Sequence, residues 1–379
     1  MVERSRWFRL AGLILLQSFL PSILYSTPPA PIRLWQFDSG GAISKPVVNG
    51  GIIFIASNSG EIYAISEATG RQVWTYNFRA DGMTVFGGDP FLYDGVVVVG
   101  ANQQNCGNGY HGYVYALEQR TGKLRWKLAT PGVGTNFVRV DDNIIFGTRR
   151  DEWISVQLKT GRINWKFHAP LTDGQCYENS APDSDSESIV VVAHNRELFG
   201  LDRAGHRIWS RVSNAAVSTN PFVYMDVAYF GTTDMHVHGV IPSTGEELAD
   251  FSVPATPVRG FTWGGANDET VFSFGLIEKE EHKQHLLLAY RDGFERVLWS
   301  RDLRGDPGAG TPYYWNNFIV TGNCQGLIAA YSPNDGRPQW NATVKGCVQT
   351  IAGGTSTLFV GVKEGTLYSF GYPKEATRP

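Results

Sequence analysis

Residues 69–74 read TGRQVW, and the same order of tight turn, basic residue and tryptophan returns as TGKLRW at 121–126 and TGRINW at 160–165. Looser copies follow as AGHRIW (204–209), TGEELA (244–249) and DGRPQW (335–340). Aligned on this phrase, Trp35, Trp74, Trp126, Trp165, Trp209, Ala249, Trp299 and Trp340 stand 39, 52, 39, 44, 40, 50 and 41 residues apart, with Ala249 where the series expects tryptophan. Between these marks the chain repeats one internal order. A short segment with a small residue and proline (AISKPVV at 42–48, VSTNPFV at 217–223) opens each unit. A hydrophobic run such as GIIFIAS or GVVVVGA follows, then a third run such as IYAIS or YVYAL, then the segment that carries the tryptophan.

Four short strands in each unit of 40–50 residues is the pattern of a propeller blade. Helical solenoids are excluded, because the apolar runs are too short for helices and rich in Val, Ile and aromatics. The expected fold is therefore an all-β, eight-bladed β-propeller of four-stranded antiparallel blades. Tryptophan-type strands and second strands both number eight, but out of step. Trp35 precedes any complete unit, and no tryptophan follows the last one. RLWQF at 33–37 is then the strand that completes the last blade and closes the ring. The phrase itself has a mechanical reading. Gly70, Gly122 and Gly161 supply a positive φ at the turn between the third and fourth strands. Each tryptophan then packs against a neighbouring blade, with its indole N–H on a nearby carbonyl. Trp35, Trp74, Trp126, Trp165, Trp209, Trp299 and Trp340 are thus structural, since chemistry does not need one reactive residue copied around a rim.

The 379 residues carry a formal net charge of −3, 42% apolar and 18% charged residues, and no Lys/Arg run, which points away from nucleic acid. The first 26 residues have arginines at 4, 6 and 9, an apolar stretch, and a small, turn-prone STPPAP segment, the layout of a secretory signal. A single membrane anchor is the other reading, but Gln17, Ser18 and Pro21 interrupt a short stretch. The expected organisation is a signal peptide at 1–26, a linker at 27–32, the propeller at 33–373 and a tail at 374–379. The mature chain is expected to be periplasmic or secreted, monomeric and without stable membrane insertion. Export permits disulfides, and the four cysteines (Cys106, Cys176, Cys324, Cys347) are compatible with two bridges or with free buried thiols. Cys324 sits in one second-to-third turn and Cys347 opens the next blade, so these two form a reasonable pair.

The order Ala-x-Asp-x-x-Thr-Gly-x-x-x-Trp resembles the docking repeat of the PQQ-like, or quinoprotein-type, β-propellers. It stands here as Ala64…Thr69-Gly70…Trp74 and Ala116…Thr121-Gly122…Trp126, with Asp kept at the third position only as Asp202. WD40 and kelch repeats fit less well, because no Trp is followed by Asp and the Gly-Gly pairs are out of register. The resemblance implies one of two functions. One branch oxidises alcohols or sugars with pyrroloquinoline quinone and calcium. The other is a cofactor-free scaffold of the outer-membrane β-barrel assembly machine. This chain has no vicinal cysteine pair and no recognisable calcium set, which favours a non-catalytic protein-binding scaffold without cofactor, although it also has no lipid-attachment cysteine near residue 26.

Loops that depart from a repeat are where binding is usually installed. They are expected on one face, formed by second-to-third and inter-blade loops: 103–112, 148–153, 194–197, 233–238 and 278–285, with Cys176-Tyr177-Glu178-Asn179 and Phe261-Thr262-Trp263 between blades. A protein or peptide partner is expected there. In the oxidoreductase alternative, a quinone would sit over the channel mouth near Trp263, Arg149, Arg150 and Glu178. His236 and His238 form an HxH on a strand, a metal-ligand spacing to which His111 or His194 could add a third ligand, although nothing in the repeat fixes that spacing across blades. A solvated strand pair is the simpler reading, and no catalytic or metal residue is assigned.

Overall fold

The computed structural model describes residues 28–372, apart from 104–110, 151, 170–179, 186, 188–189, 265–269, 279–281, 292–293, 295, 304, 309 and 355. The leader at 1–26, Cys106, Cys176, Glu178 and the tail at 374–379 lie outside the described residues.

The strands form eight four-stranded antiparallel sheets. Blade 1 holds Val47–Asn49, Ile52–Ser57, Glu61–Ser66 and Gln72–Asn77, each paired to the next. Blades 2 to 7 repeat that order, beginning at Val85, Val138, Asp183, Phe222, Thr256 and Tyr313. The eighth sheet draws on both ends of the described chain. Val348–Gly353, Thr357–Val362 and Thr366–Gly371 are joined by Ile32–Asp38, which pairs antiparallel to 366–371. Among the described residues a 3-10 turn, Arg79–Asp81, interrupts the strands. Among the described residues no helix is long and apolar enough to cross a membrane.

Composition explains the burial of each strand. Second strands such as IIFIAS and VVVVGAN are buried nearly throughout, because neighbouring blades cover both of their faces. Outer strands alternate; INWKFH of blade 3 turns every second residue to solvent. The apolar core lies in the seams between blades. Phe54, Ala64 and Trp74 of blade 1, for example, pack with Val97, Val99 and Tyr115 of blade 2.

The proline-containing segments sit differently from the sequence expectation. The inner strand starts after the proline, at Val47 and Phe222, instead of running through it. Proline has no N–H to give a ladder, and the residue two places before it carries the bonding to the second strand through its side chain. The Ser44 hydroxyl accepts the Ala56 N–H at 3.0 Å, and the Thr219 hydroxyl accepts that of Gly231 at 2.9 Å.

The repeated phrase fastens one blade to the next. Trp74 on the outer strand of blade 1 donates its indole N–H to the Gln119 carbonyl of blade 2 at 2.9 Å. Its ring lies so close to Gly122 that a Cβ there would stand 2.6 Å from Trp74 Cε3, and Gly122 holds φ +70°. The same latch joins Trp35 to Glu67 and Gly70, Trp126 to Leu158 and Gly161, Trp165 to Arg203 and Gly205, Trp209 to Pro242 and Gly245, and Trp299 to Pro333 and Gly336. Glycine is thus required twice over, by its backbone angle and by the indole lying against its α-carbon. Trp340 would dock on a third-to-fourth turn of blade 8, where the chain is open. It packs edge-on to Trp315, with ring centroids 6.4 Å apart, and Trp315 in turn stacks on Tyr372 at 5.7 Å.

Blade 5 solves the missing tryptophan from the other side. In a standard blade the indole covers an aromatic of its own second strand, as Trp74 covers Phe54 at 5.9 Å. Ala249 cannot cover Tyr229, the equivalent residue. Phe294 reaches back from the third-to-fourth turn of blade 6 and packs on Tyr229 at 4.7 Å, as well as on Phe261 and Tyr290. It is 1% exposed and holds φ +77°. A bulky side chain in the left-handed region is strained, and filling the seam is the gain that offsets the strain.

Candidate functional site

Lys45, Asp89, Asn220 and Thr311, each just before a proline, and Asn136, at the matching place before Phe137, line the axial cavity and form a partial belt across the seams. Asp89 of blade 2 accepts the Lys45 N–H of blade 1 on Oδ1 at 2.8 Å. Asn136 of blade 3 accepts the Asp89 N–H at 2.7 Å and donates its amide to Asp89 Oδ2 at 3.0 Å. Asn220 of blade 5 accepts the Ala181 N–H of blade 4 at 2.9 Å. Around this belt an axial cavity of about 420 Å³ opens, with Thr311 and Gln349 completing its polar lining and Phe86, Phe222 and Phe261 its apolar lining.

Burial pushes the Asp89 carboxyl above the usual carboxylate range, against the pull of the Lys45 N–H and the Asn136 amide. A carboxyl whose folded pKa is raised stabilises the fold fully below its unfolded value and loses that contribution as pH rises through the folded value. Asp89→Asn, which stays neutral, should therefore gain on the wild type as pH climbs from about 4 towards neutrality. Urea midpoints of both proteins across that range check this; parallel curves would show that the buried charge costs nothing.

The second-to-third turns and the inter-blade connections share the end of the sheets where the inner strands begin. A meander of four strands puts its second-to-third turn and the inter-blade connection at that end, and the Thr-Gly turns at the other. Cys324, in the second-to-third turn of blade 7, is disulfide-bonded to Cys347, just before the inner strand of blade 8. The bond clamps the loop end of that seam. Arg149 and Arg150 lie in the second-to-third turn of blade 3, Arg149 half-buried with its N–H on the Gly132 carbonyl, Arg150 exposed. Trp263 does not join them. It lies in the inner strand of blade 6 opposite Val271, one step from the far end of its sheet. The bulge between Val258 and Phe261 lengthens this strand and carries the chain past the loop end before Trp263 is reached.

The axial lining fits a quinone and calcium poorly. Among the described residues its carboxylate, Asp89, already has both oxygens engaged, and its cation is the Lys45 ammonium, 5.2 Å from the Tyr313 ring centre. Calcium needs six to eight oxygen ligands, and a polycarboxylate is best held by arginine forks; the described lining residues supply neither.

His236 and His238 lie on the third strand of blade 5, at the rim, and their third neighbour is neither His111 nor His194. It is Asp250 of the outer strand, which the register sets opposite His238. His111 belongs to blade 2 and His194 to the second strand of blade 4. Only the pairing of 236–240 with 247–252 brings the carboxylate in, and that pairing is not readable as a short motif. Phe294 and Asp89 were likewise missed, although a lone phenylalanine in a turn opposite an absent tryptophan was a legible signal.

Residues 31–107 and 110–267 match the family model described as outer membrane protein assembly factor BamB. The protein of that name from Shewanella oneidensis is 25% identical over 245 residues, which cover 59% of this chain and 57% of that protein. The chain therefore spans little more than half of that relative in the match. Among solved structures, BamB from Moraxella catarrhalis superimposes with a TM-score of 0.71 at 15% identity, covering 90% of this chain and all of that one. Quinohemoprotein alcohol dehydrogenase from Comamonas testosteroni reaches 0.70 at 13% identity, over 91% of this chain and 78% of that one. At such identities the two structural likenesses speak for the fold alone.

Proposed function

This chain belongs to the family of the outer membrane protein assembly factor BamB, and from that premise we propose that it is an exported, non-catalytic scaffold serving outer-membrane protein assembly. The family match is the observation that carries the reading. In this reading residues 1–26 are a signal, 33–373 the propeller, and the mature chain works as a periplasmic monomer. The partner is a protein or peptide held on the loop-rich face, where the chain departs from its repeat and where the Cys324–Cys347 bond stiffens one seam. The opposite face carries the repeated glycine turns, four of them Thr-Gly (69–70, 121–122, 160–161 and 244–245), which offer little sequence with which to select a partner. In this reading the axial cavity serves no cofactor.

A photo-crosslinking residue at Arg150, exposed on the loop face, should give a discrete protein adduct in intact cells. The same residue at Lys123, exposed on the Thr-Gly face, should not. Adducts from Lys123 alone, or from both equally, would overturn the assignment of the face. Dye reduction with an alcohol or sugar, after loading with pyrroloquinoline quinone and calcium, would overturn the non-catalytic reading.

A further inference from the structure

The rim of blade 5 gathers more charge than the fold requires. His236 Nδ1 lies 2.6 Å from Asp250 Oδ1, and His238 Nδ1 lies 3.6 Å from the same oxygen and 2.9 Å from Glu247 Oε1. A strand's two-residue period sets both imidazoles on one side, and they stack 5.9 Å apart. Phe230 lies flat against His238 at 5.1 Å and fixes its ring, so His238 is only 12% exposed. The same ring nitrogen of each histidine turns towards Asp250, and the three ligand atoms lie within 4.8 Å of one another. Among the described residues, three carboxylates, Asp234, Glu247 and Asp250, stand around them against the Arg211 guanidinium, which pairs with Glu247. With neutral histidines the cluster is therefore doubly negative.

We propose that His236, His238 and Asp250 form a binding site for a borderline divalent transition-metal ion of the zinc class, with solvent completing the coordination. Two imidazoles and a carboxylate are the donors such an ion prefers. Ligands about 2.0–2.1 Å from one ion stand roughly 3–3.5 Å apart, so closing this triangle asks only for side-chain rotation of about 1 Å. Glu247, engaged by Arg211 and His238, stands behind the site as an orienting carboxylate. Its position suggests what the ion does. Asp250 follows Ala249, the one place where the outer strand lacks its tryptophan, so the ion ties that strand to the third strand of the same blade. This inference does not depend on the proposed scaffold role.

The test uses the full mature chain, freed of metal by a chelator and titrated with zinc chloride. One ion should bind per chain and raise the melting temperature. Cobalt(II) in its place should give visible ligand-field bands, and its X-ray absorption should show two imidazoles in the first shell. The H236Q/H238Q pair should lose binding and the thermal shift together. Asp250→Asn should weaken binding at least as much as the roughly 10–100-fold lost with an outer-sphere partner. H206Q removes a histidine that pairs with Asp202 alone at 3.1 Å, and it should bind zinc like the wild type. The variants lie on the rim, and their unliganded melting curves establish that they are folded. Zinc stoichiometry unchanged in H236Q/H238Q, or no binding by the wild type, overturns the site.

Discussion

Trp74→Ala should lower the unfolding free energy by about 3–5 kcal/mol, the range for truncating a buried aromatic. Trp74 is 9% exposed and lies within the core cluster shared by blades 1 and 2. Its removal opens a seam and leaves the Gln119 carbonyl without the indole N–H it accepts at 2.9 Å. Trp74→Phe separates the two losses. It keeps most of the apolar area and drops the hydrogen bond, for which about 1 kcal/mol is expected. Trp165→Ala provides the comparison within the same molecule. That indole makes the same bond, to Arg203, but is half-buried, so its loss should cost less. Urea unfolding followed by far-UV circular dichroism gives all three values. If W74A costs no more than W165A, burial does not set the strength of the latch.

The second large effect concerns the seam between blades 5 and 6 and is a matter of coupling. Phe294→Gly removes a fully buried ring from Tyr229, Phe261 and Tyr290, and should cost about 3 kcal/mol or more, slightly offset by release of the φ +77° strain. Ala249→Trp drives an indole into space that Phe294 already fills, and overpacking of this kind costs roughly 1–3 kcal/mol. Together the two changes clear the ring from the seam and refill the space with an indole from the outer strand, as in the other blades. The double variant should therefore be more stable than either single one, with a coupling energy of about 2–3 kcal/mol. Simple additivity of the two losses would mean that Phe294 does not occupy the tryptophan's place.

Most of the wheel is legible in the sequence, because the repeat is written in residues whose physics is local. Thr-Gly marks a turn that needs positive φ, alternating apolar runs mark strands, and a tryptophan at fixed distance marks the outer edge. Eight sheets of four strands follow from counting such marks. The pairing of Ile32–Asp38 with the last strand rests on the same count. The candidate sites were less legible. Arg149 and Arg150 stand in a second-to-third turn, as their place in the repeat implied, but Trp263 lies at the far end of its sheet because a bulge shifts it. No local pattern announces how many residues an inner strand absorbs before it turns.

The histidine pair shows where the boundary falls. The HxH spacing placed His236 and His238 side by side, a property of one strand and therefore of sequence. The carboxylate that meets them comes from a neighbouring strand, in a register set by the bulge between Gly239 and Val240. In the same way, sequence marked Ala249 as a missing latch, but only the packed ring revealed that Phe294 fills the gap from the next blade. Turn angles and side-chain periodicity act within a few residues and can be read along the chain. Seam packing and cross-strand ligands join residues tens of positions apart, and their partners exist only once the blades have closed on one another.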